Sequence, residues 1–402
     1  MPIDLSEREW PERVPGVGMS LLHEGYVTEG QMIAMSLGFP GMCLPIPADE
    51  AYVTALAVDE RRVVYGGTGG RRAHLFVAMT HGLTGAVVDV CTLEENARVS
   101  SVLVAQDGRV LATTAPGAPG PTLPRPGEQP EGEGALYVHD SVGLPYDLVH
   151  EWQFVKSPAK KVCTPLPDEG VACAVMGVDD CGDEAIIGIG ENSGSLFTHT
   201  IESGRTEVHG PVDEKGLFSR AIVWGPDGAV YGTGALGRLW RYDPLFGGME
   251  ETGVDIPTVA GRAVRNQADS FAVDADRGLT YGGGTADGVL FAYDVAERTV
   301  RSLGKPTCYR GIKGLAVTND GRLFGISGRE GDIGHLFCYD PDRHELRDLG
   351  MIASVIQERV YGYEFSCSAI GRDGQIYFAE RDRGGHLWIY WPAVRRPATA
   401  ED

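Results

Sequence analysis

No C-x-x-C pair occurs among the eight cysteines, which stand far apart at positions 43, 91, 163, 173, 181, 308, 338 and 367. That spacing excludes a zinc finger or ribbon and predicts free, mostly buried thiols. Basic residues are scarce: 35 Lys and Arg face 56 Asp and Glu, for a net charge of −21. A nucleic-acid backbone or an anionic membrane surface calls for the opposite sign, so neither is expected as a partner. No apolar run reaches the length of a bilayer crossing. The polar, charged stretch 1–16 lacks the apolar centre of a secretory signal, and a cytoplasmic protein is expected. Nucleophile elbows and zinc-binding helices are missing too. The strings GGTGG (66–70) and GGGT (282–285) lead into strands, whereas a phosphate-binding glycine loop leads into a helix.

What the chain has in plenty is glycine, 56 residues of 402, together with 24 prolines. Many short strands joined by tight turns need that composition. The cause is an internal repeat. Residues 230–244 read VYGTGALGRLWRYDP, 280–294 TYGGGTADGVLFAYD, 323–341 LFGISGREGDIGHLFCYDP, 64–77 VYGGTGGRRAHLFV and 376–390 IYFAERDRGGHLWIY. Divergent copies lie at 186–199 and at 110–140, the latter split by the Pro/Gly-rich stretch 115–134. Each copy is a strand, a glycine loop and a strand opening on Leu-Phe, Leu-Trp or Leu-Tyr. Asp-Gly turns precede several copies at 107–108, 227–228, 320–321 and 373–374, where a hairpin with positive φ at both central residues is expected. A short apolar strand comes before each turn.

The pattern predicts one domain over 1–402, a seven-bladed β-propeller of four-stranded antiparallel blades. The blades are placed at 51–95, 96–169, 170–216, 217–261, 262–311, 312–363 and 364–392. The last copy stops after its third strand. Its fourth is expected from 32–38 (MIAMSLG), which ends in the same Leu-Gly as two other copies and would tie the ring shut.

In such a ring the innermost strands line a central channel, and a ligand is expected at its mouth. Aligning the copies gives one ring position held by Thr54, Ser100, Ala174, Arg220, Asp269, Lys313 and Ser366. Two residues earlier stand Tyr52, Arg98, Ala172, Phe218, Gln267, Gly311 and Glu364, with Arg265, Asn266, Arg310, Tyr361 and Tyr363 just above. Arg98, Arg220, Arg265, Arg310 and Lys313 thus gather at one end of an acidic chain. Arginine forks hold carboxylates, sulfates and phosphates. One reading is a pocket for a small anionic molecule, with Asn266, Gln267, Tyr361 and Glu364 as further contacts. The other is a polar plug between strands. No cofactor is required. A divalent cation in the channel, if there is one, has Asp269 and Glu364 as its ligands. His74, His335 and His386 recur at one position of the repeat. Shared architecture explains that recurrence, and His74, flanked by Arg71 and Arg72, is the one best placed to meet a ligand.

The strand, glycine loop, LF-x-YD rhythm resembles the seven-bladed propellers of polysaccharide lyases and rhamnosyl-glucuronate-cleaving enzymes, over the whole chain at the level of architecture. The resemblance implies a uronate-containing sugar cleaved by β-elimination or at its glycosidic bond. Arg220, Arg265, Arg310 and Lys313 would grip the acid, and Tyr363 or His74 would move the proton. Two other functions fit the same residues: a non-catalytic scaffold for a protein partner, and an intracellular lyase or cyclase of specialised metabolism.

Overall fold

The structure, a computed structural model, describes residues 27–37, 46–81, 84–117, 132–141, 158–213, 216–259, 266–329, 331–354, 360–382 and 385–394. Arg265, Cys43, Gly38 and most of the stretches 115–134 and 142–169 lie outside the described residues.

Strands make up nearly all regular structure. The first is β1 (Gln31–Ser36). Then follow β2 (Tyr52–Val58), β3 (Val64–Gly69), β4 (Arg72–His81) and β5 (Thr84–Glu95). Next come β6 (Ala97–Val104), β7 (Val110–Pro116), β8 (Leu136–His139) and β9 (Lys160–Cys163). The middle of the chain holds β10 (Val171–Val178), β11 (Glu184–Gly190), β12 (Ser195–Thr200), β13 (Thr206–Pro211), β14 (Ile222–Trp224), β15 (Val230–Thr233), β16 (Arg238–Asp243) and β17 (Gly248–Asp255). After these run β18 (Ala268–Asp274), β19 (Leu279–Gly284), β20 (Leu290–Asp294), β21 (Thr299–Gly304), β22 (Ile312–Val317), β23 (Leu323–Ser327), β24 (His335–Asp340) and β25 (Glu345–Met351). A two-stranded pair, β26 (Ala353–Ser354) and β27 (Val360–Tyr361), precedes β28 (Phe365–Ile370), β29 (Ile376–Glu380) and β30 (His386–Trp391). Among the described residues no helix is long and apolar enough to cross a membrane.

Five sheets have four antiparallel strands: β10 to β13, β14 to β17, β18 to β21, β22 to β25, and β28-β29-β30-β1. In the last, β1 lies antiparallel to β30 with Met32 opposite Tyr390 and Met35 opposite Leu387. The first two expected units do not stand apart. They run in one eight-stranded sheet, β3 meeting β6 through the Gly69–Arg98 pairing. Inner strands pack side by side in sequence: β2 on β6, β6 on β10, β10 on β14, β14 on β18, β18 on β22, β22 on β28, and β28 back on β2. The molecule is therefore an all-β propeller of four-stranded antiparallel blades.

The repeat motif has a packing reason. A glycine that directly follows an aromatic or aliphatic residue of the second strand lies opposite the aromatic ring of the third: Gly66 faces Phe76, Gly188 Phe197, Gly232 Trp240, Gly282 Phe291 and Gly325 Phe337. A Cβ on Gly66 would sit 2.0 Å from Phe76, and one on Gly282 2.2 Å from Phe291. The ring lies flat across the strand, and only glycine leaves room for it. All five rings are buried, each contributing about 1.5–3 kcal/mol of apolar burial. The Asp-Gly turns form, but only their glycines, 108, 228, 321 and 374, take positive φ, between 77° and 86°. Of the described cysteines only Cys338 is fully buried, while Cys181 and Cys308 are exposed. This corrects the expectation of mostly buried thiols.

Candidate functional site

The innermost strands share a feature that periodicity does not reveal. The pairing register slips at Val53/Ala55, Val99/Ser101, Val171/Cys173, Ala268/Ser270, Ile312/Gly314 and Phe365/Ser368. Each slip is a β-bulge, and a bulge re-aims a side chain. The bulged residues are Thr54, Ser100, Ala172, Asp269, Lys313 and the pair Ser366-Cys367. This is the ring position expected from the repeat, with one correction. In the 170–216 unit it falls on Ala172, two residues before the expected Ala174, because the bulge comes earlier relative to the turn. Hydroxyls at or beside the ring tie neighbouring strands together. Thr54 Oγ1 donates to Val99 O at 2.7 Å, Ser366 Oγ to Val53 O at 2.9 Å, and Ser270 Oγ to Ile312 O at 2.7 Å.

Charged groups collect at the same end of the inner strands. Arg98, at the start of β6, and Arg220, just before β14, both reach Oε1 of Glu191. Arg98 pairs with it through Nη2, and Arg220 Nη1 lies 3.3 Å away. Arg98 also donates to Pro116 O at 2.9 Å. Glu191, the first residue after β11, is 3% exposed. Arg220 keeps 48% of its side chain accessible. Burial pulls its guanidinium below the ordinary arginine range. Glu191 opposes that pull, while Arg98 and Arg381 add to it. Arg381, the first residue after β29, thus belongs to the same cluster. Its Nε lies 2.8 Å from Glu364 Oε1, just before β28. Three guanidiniums share two carboxylates. Further round the ring, Lys313 Nζ lies 2.9 Å from Asp269 Oδ2, both at bulge positions. A Cβ on Gly311 would stand 3.0 Å from Arg329 Cγ and 3.3 Å from Asp269 Oδ2, so Arg329 flanks this pair.

The other expected residues go elsewhere. Asn266 is buried and holds the 285–289 turn: its amide donates to Asp287 Oδ1 at 3.0 Å and its carbonyl accepts from Ala286 N at 3.0 Å. Gln267 engages Thr285 through its backbone. Arg310 is exposed and makes no ion pair among the described residues. Tyr361 and Tyr363 have ring centroids 6.4 Å apart, and Tyr363 is 40% exposed. Asp269 and Glu364 each face a cation of their own, Lys313 and Arg381, rather than each other. Among the described residues the one group with three metal-type ligands together is Asp179, Asp180 and Cys181, at a turn far along the chain from both.

His74 is 2% exposed. Its Nε2 lies 2.8 Å from Glu50 Oε2 and its Nδ1 3.1 Å from Asp89 Oδ1. Glu50 also takes Arg72 twice, at 2.8 and 2.9 Å, and Arg71 at 2.7 Å. Burial disfavours the imidazolium, but Asp89 and Glu50 outweigh it and hold His74 above its ordinary pKa. With both ring nitrogens engaged, His74 has no lone pair to offer a ligand. The recurrence of this position is architectural. Asp89 lies opposite Phe76, and His335 likewise pairs at 3.2 Å with Asp348, opposite Phe337. Arg238 approaches Glu251, opposite Trp240, at 3.7 Å. In the last sheet the residue opposite Trp388 is Ala34, and His386 turns instead to Glu380 at 2.6 Å.

Sequence reasoning missed Glu191, Arg329 and Arg381. The aligned copies IIGIGE and IYFAER put Glu191 and Arg381 at one repeat position, the first residue past the second strand. That alignment was the available signal.

The chain matches no family model and no curated protein. It does overlay solved structures. The extracellular domain of the hybrid two component system BT4673 from B. thetaiotaomicron superposes at TM-score 0.56 with 14% identity, over 91% of this chain and 40% of that one, so the chain spans about two fifths of its length. A fungal alcohol oxidase of the AA5 family, solved with copper, superposes at TM-score 0.58 with 12% identity, over 91% and 76%. The WD40 β-propeller domain of Doa1 superposes at TM-score 0.54 with 9% identity, over 90% and 97%. These are likenesses of fold, and functions differ among them.

Proposed function

We propose that this propeller binds a small carboxylate-bearing molecule at the end of its axis where Arg98, Arg220 and Arg381 meet. The observation that carries the reading is the sharing of two carboxylates by three guanidiniums, with Arg220 half accessible and desolvated. A bound anion relieves the repulsion among the arginines and takes up their unused donors. The ring is read as seven-bladed, the eight-stranded sheet counting as two blades joined at one bridge. The succession of inner-strand contacts supports that count. The pairing of β1 with β30 supports closure by the N-terminal strand.

A uronate is the first ligand class to try, and elimination the first reaction. Of the two residues expected to move a proton, Tyr363 has the accessibility for it and His74 does not. The test is a thermal-shift panel of uronates, simple carboxylates, sugar phosphates and divalent ions on the wild type and on Arg220→Ala. Stabilisation by a carboxylate that the variant loses supports the reading. A flat response to every anion overturns it, and a protein partner becomes the reading to pursue. A rise in ultraviolet absorbance from an unsaturated product identifies elimination.

A further inference from the structure

Large apolar side chains left in solvent flank the arginine cluster on two sides. On the side of Arg220 stand Leu217, three residues before it, and Leu236, in the turn 235–237 between β15 and β16. Both are exposed. Two hydrogen bonds hold the approach to β14 against the end of β15: Ser219 N donates to Thr233 O at 2.8 Å, and Ala235 N to Asp213 Oδ2 at 3.0 Å. The two leucines therefore stand at the same end of the inner strands as Arg220. On the side of Arg381 stands the exposed Tyr363. Its N donates to Glu380 Oε1 at 3.2 Å, and its neighbour Glu364 pairs with Arg381 Nε at 2.8 Å. Leu236 is unusual in its backbone as well. It is 65% exposed, with φ 60° and ψ 18°. A bulky residue is strained in that left-handed region, which glycine enters freely, as Gly237 beside it does at φ 80°. Packing does not offset the strain, because the side chain stands in water. A strained, exposed leucine where glycine would fold better points to a contact made outside the chain.

Resting on the carboxylate-binding reading above, we propose that the ligand is a carboxylate with a large apolar body, aryl or branched alkyl. Its carboxylate meets the arginines, and its body lies against Leu236 and Leu217, with Tyr363 bounding the other side. Charge complementarity and apolar area together select this class. A small hydrophilic anion leaves the leucines in water. A neutral apolar molecule leaves the arginines without a counter-charge. Leu236 and Tyr363 are then the residues that set specificity, while the arginines supply the attraction common to every acid.

The experiment is calorimetric titration of the full chain with 3-phenylpropanoate, propanoate and glucuronate. The readout is the ratio of the propanoate and phenylpropanoate Kd values in the wild type, in Leu236→Gly and in Tyr363→Ala. Phenylpropanoate is expected to bind tighter by roughly tenfold to a hundredfold in the wild type, with the ratio falling in either variant. Leu236→Gly relieves the strained φ, so its melting temperature is expected to hold or rise while its ratio falls, a pairing that a merely structural leucine would not give. Tyr363→Ala keeps the test alive if the first variant fails to fold. N-acetylphenylalanine separates two sources of this chemistry: binding tighter than phenylpropanoate assigns the site to a peptide carboxyl terminus, and weaker binding assigns it to a free acid. Equal affinity for propanoate and phenylpropanoate, or tighter binding of glucuronate than of phenylpropanoate, overturns the inference and leaves the carboxylate reading standing. A wild-type preference that neither folded variant lowers also overturns it. Absence of binding by all the acids at millimolar concentration overturns the carboxylate reading and this inference together.

Discussion

Two charged clusters of this propeller contrast. Around His74, Glu50 receives Arg71, Arg72 and the imidazole, and Asp89 holds the other ring nitrogen. At the axis end, Glu191 receives Arg98 and Arg220 on a single oxygen, Arg381 pairs with Glu364, and Asp269 pairs with Lys313. Both clusters are rich in ions. The first is complete, and a complete buried network holds structure. The second sets three guanidiniums against two carboxylates, the imbalance from which the carboxylate-binding proposal starts. The lesson is that charge and position in the repeat do not separate a structural cluster from a binding one.

The comparison can be broken most easily at Glu50. Glu50→Ala leaves a buried imidazolium and two guanidiniums without their acceptor and should cost about 3–5 kcal/mol of stability, read by urea unfolding. Carboxylate affinity should not move. The next effect belongs to the other cluster. Arg220→Ala should weaken carboxylate binding by roughly tenfold to a hundredfold, with the melting temperature of the free protein nearly unchanged. Loss of folding in that variant would make the axis cluster structural after all.

A third test uses pH. The folded-state pKa of His74 is raised above 6.5, so its stabilisation is full below that value and is lost as pH rises through the folded pKa. His199 and His209 are shifted down, mainly by burial, and act oppositely: their stabilisation is lost as pH falls through and below 6.5. Above neutrality the wild type should therefore lose unfolding free energy that a His74→Gln variant no longer has to lose. A variant whose stability falls as steeply as the wild type's on the alkaline side refutes the network. The smallest effect is expected for His335→Ala. Its pairing with Asp348 is partly exposed, and removing it should cost about 0–1 kcal/mol in the same unfolding assay.

Much of the fold was legible because the repeat is a packing code. A glycine opposite an aromatic ring recurs at five of the seven meetings of second and third strands, with Ala112 opposite Tyr137 and Phe378 opposite Trp388 at the other two, so Tyr-Gly followed by Leu-Phe marks a blade. The ring position was legible where the bulge keeps its place, at Thr54, Ser100, Asp269 and Lys313. It was missed at Ala172 because a bulge adds one residue without changing the apolar pattern on either side. The repeat places Asn266 and His74 as ligand-facing, whereas Asn266 holds the 285–289 turn and both ring nitrogens of His74 are engaged. A residue's place in the repeat fixes its height along the strand and leaves open which partners reach it. Glu191 and Arg381 were overlooked because they sit past the second strand, where the copies diverge in length.

The sequence by itself determined the all-β class, the strand order within each unit and the end of the molecule where charge would collect. Each follows from local chemistry: turn glycines, period-two apolar strands and their alignment from copy to copy. Tertiary structure alone decided that Arg98 and Arg220 meet on Glu191, that Arg381 joins them from the last sheet, and that His74 is closed off between two carboxylates. These residues come from different sheets. Their distances depend on how the inner strands pack around the axis, and no local pattern in the chain encodes that.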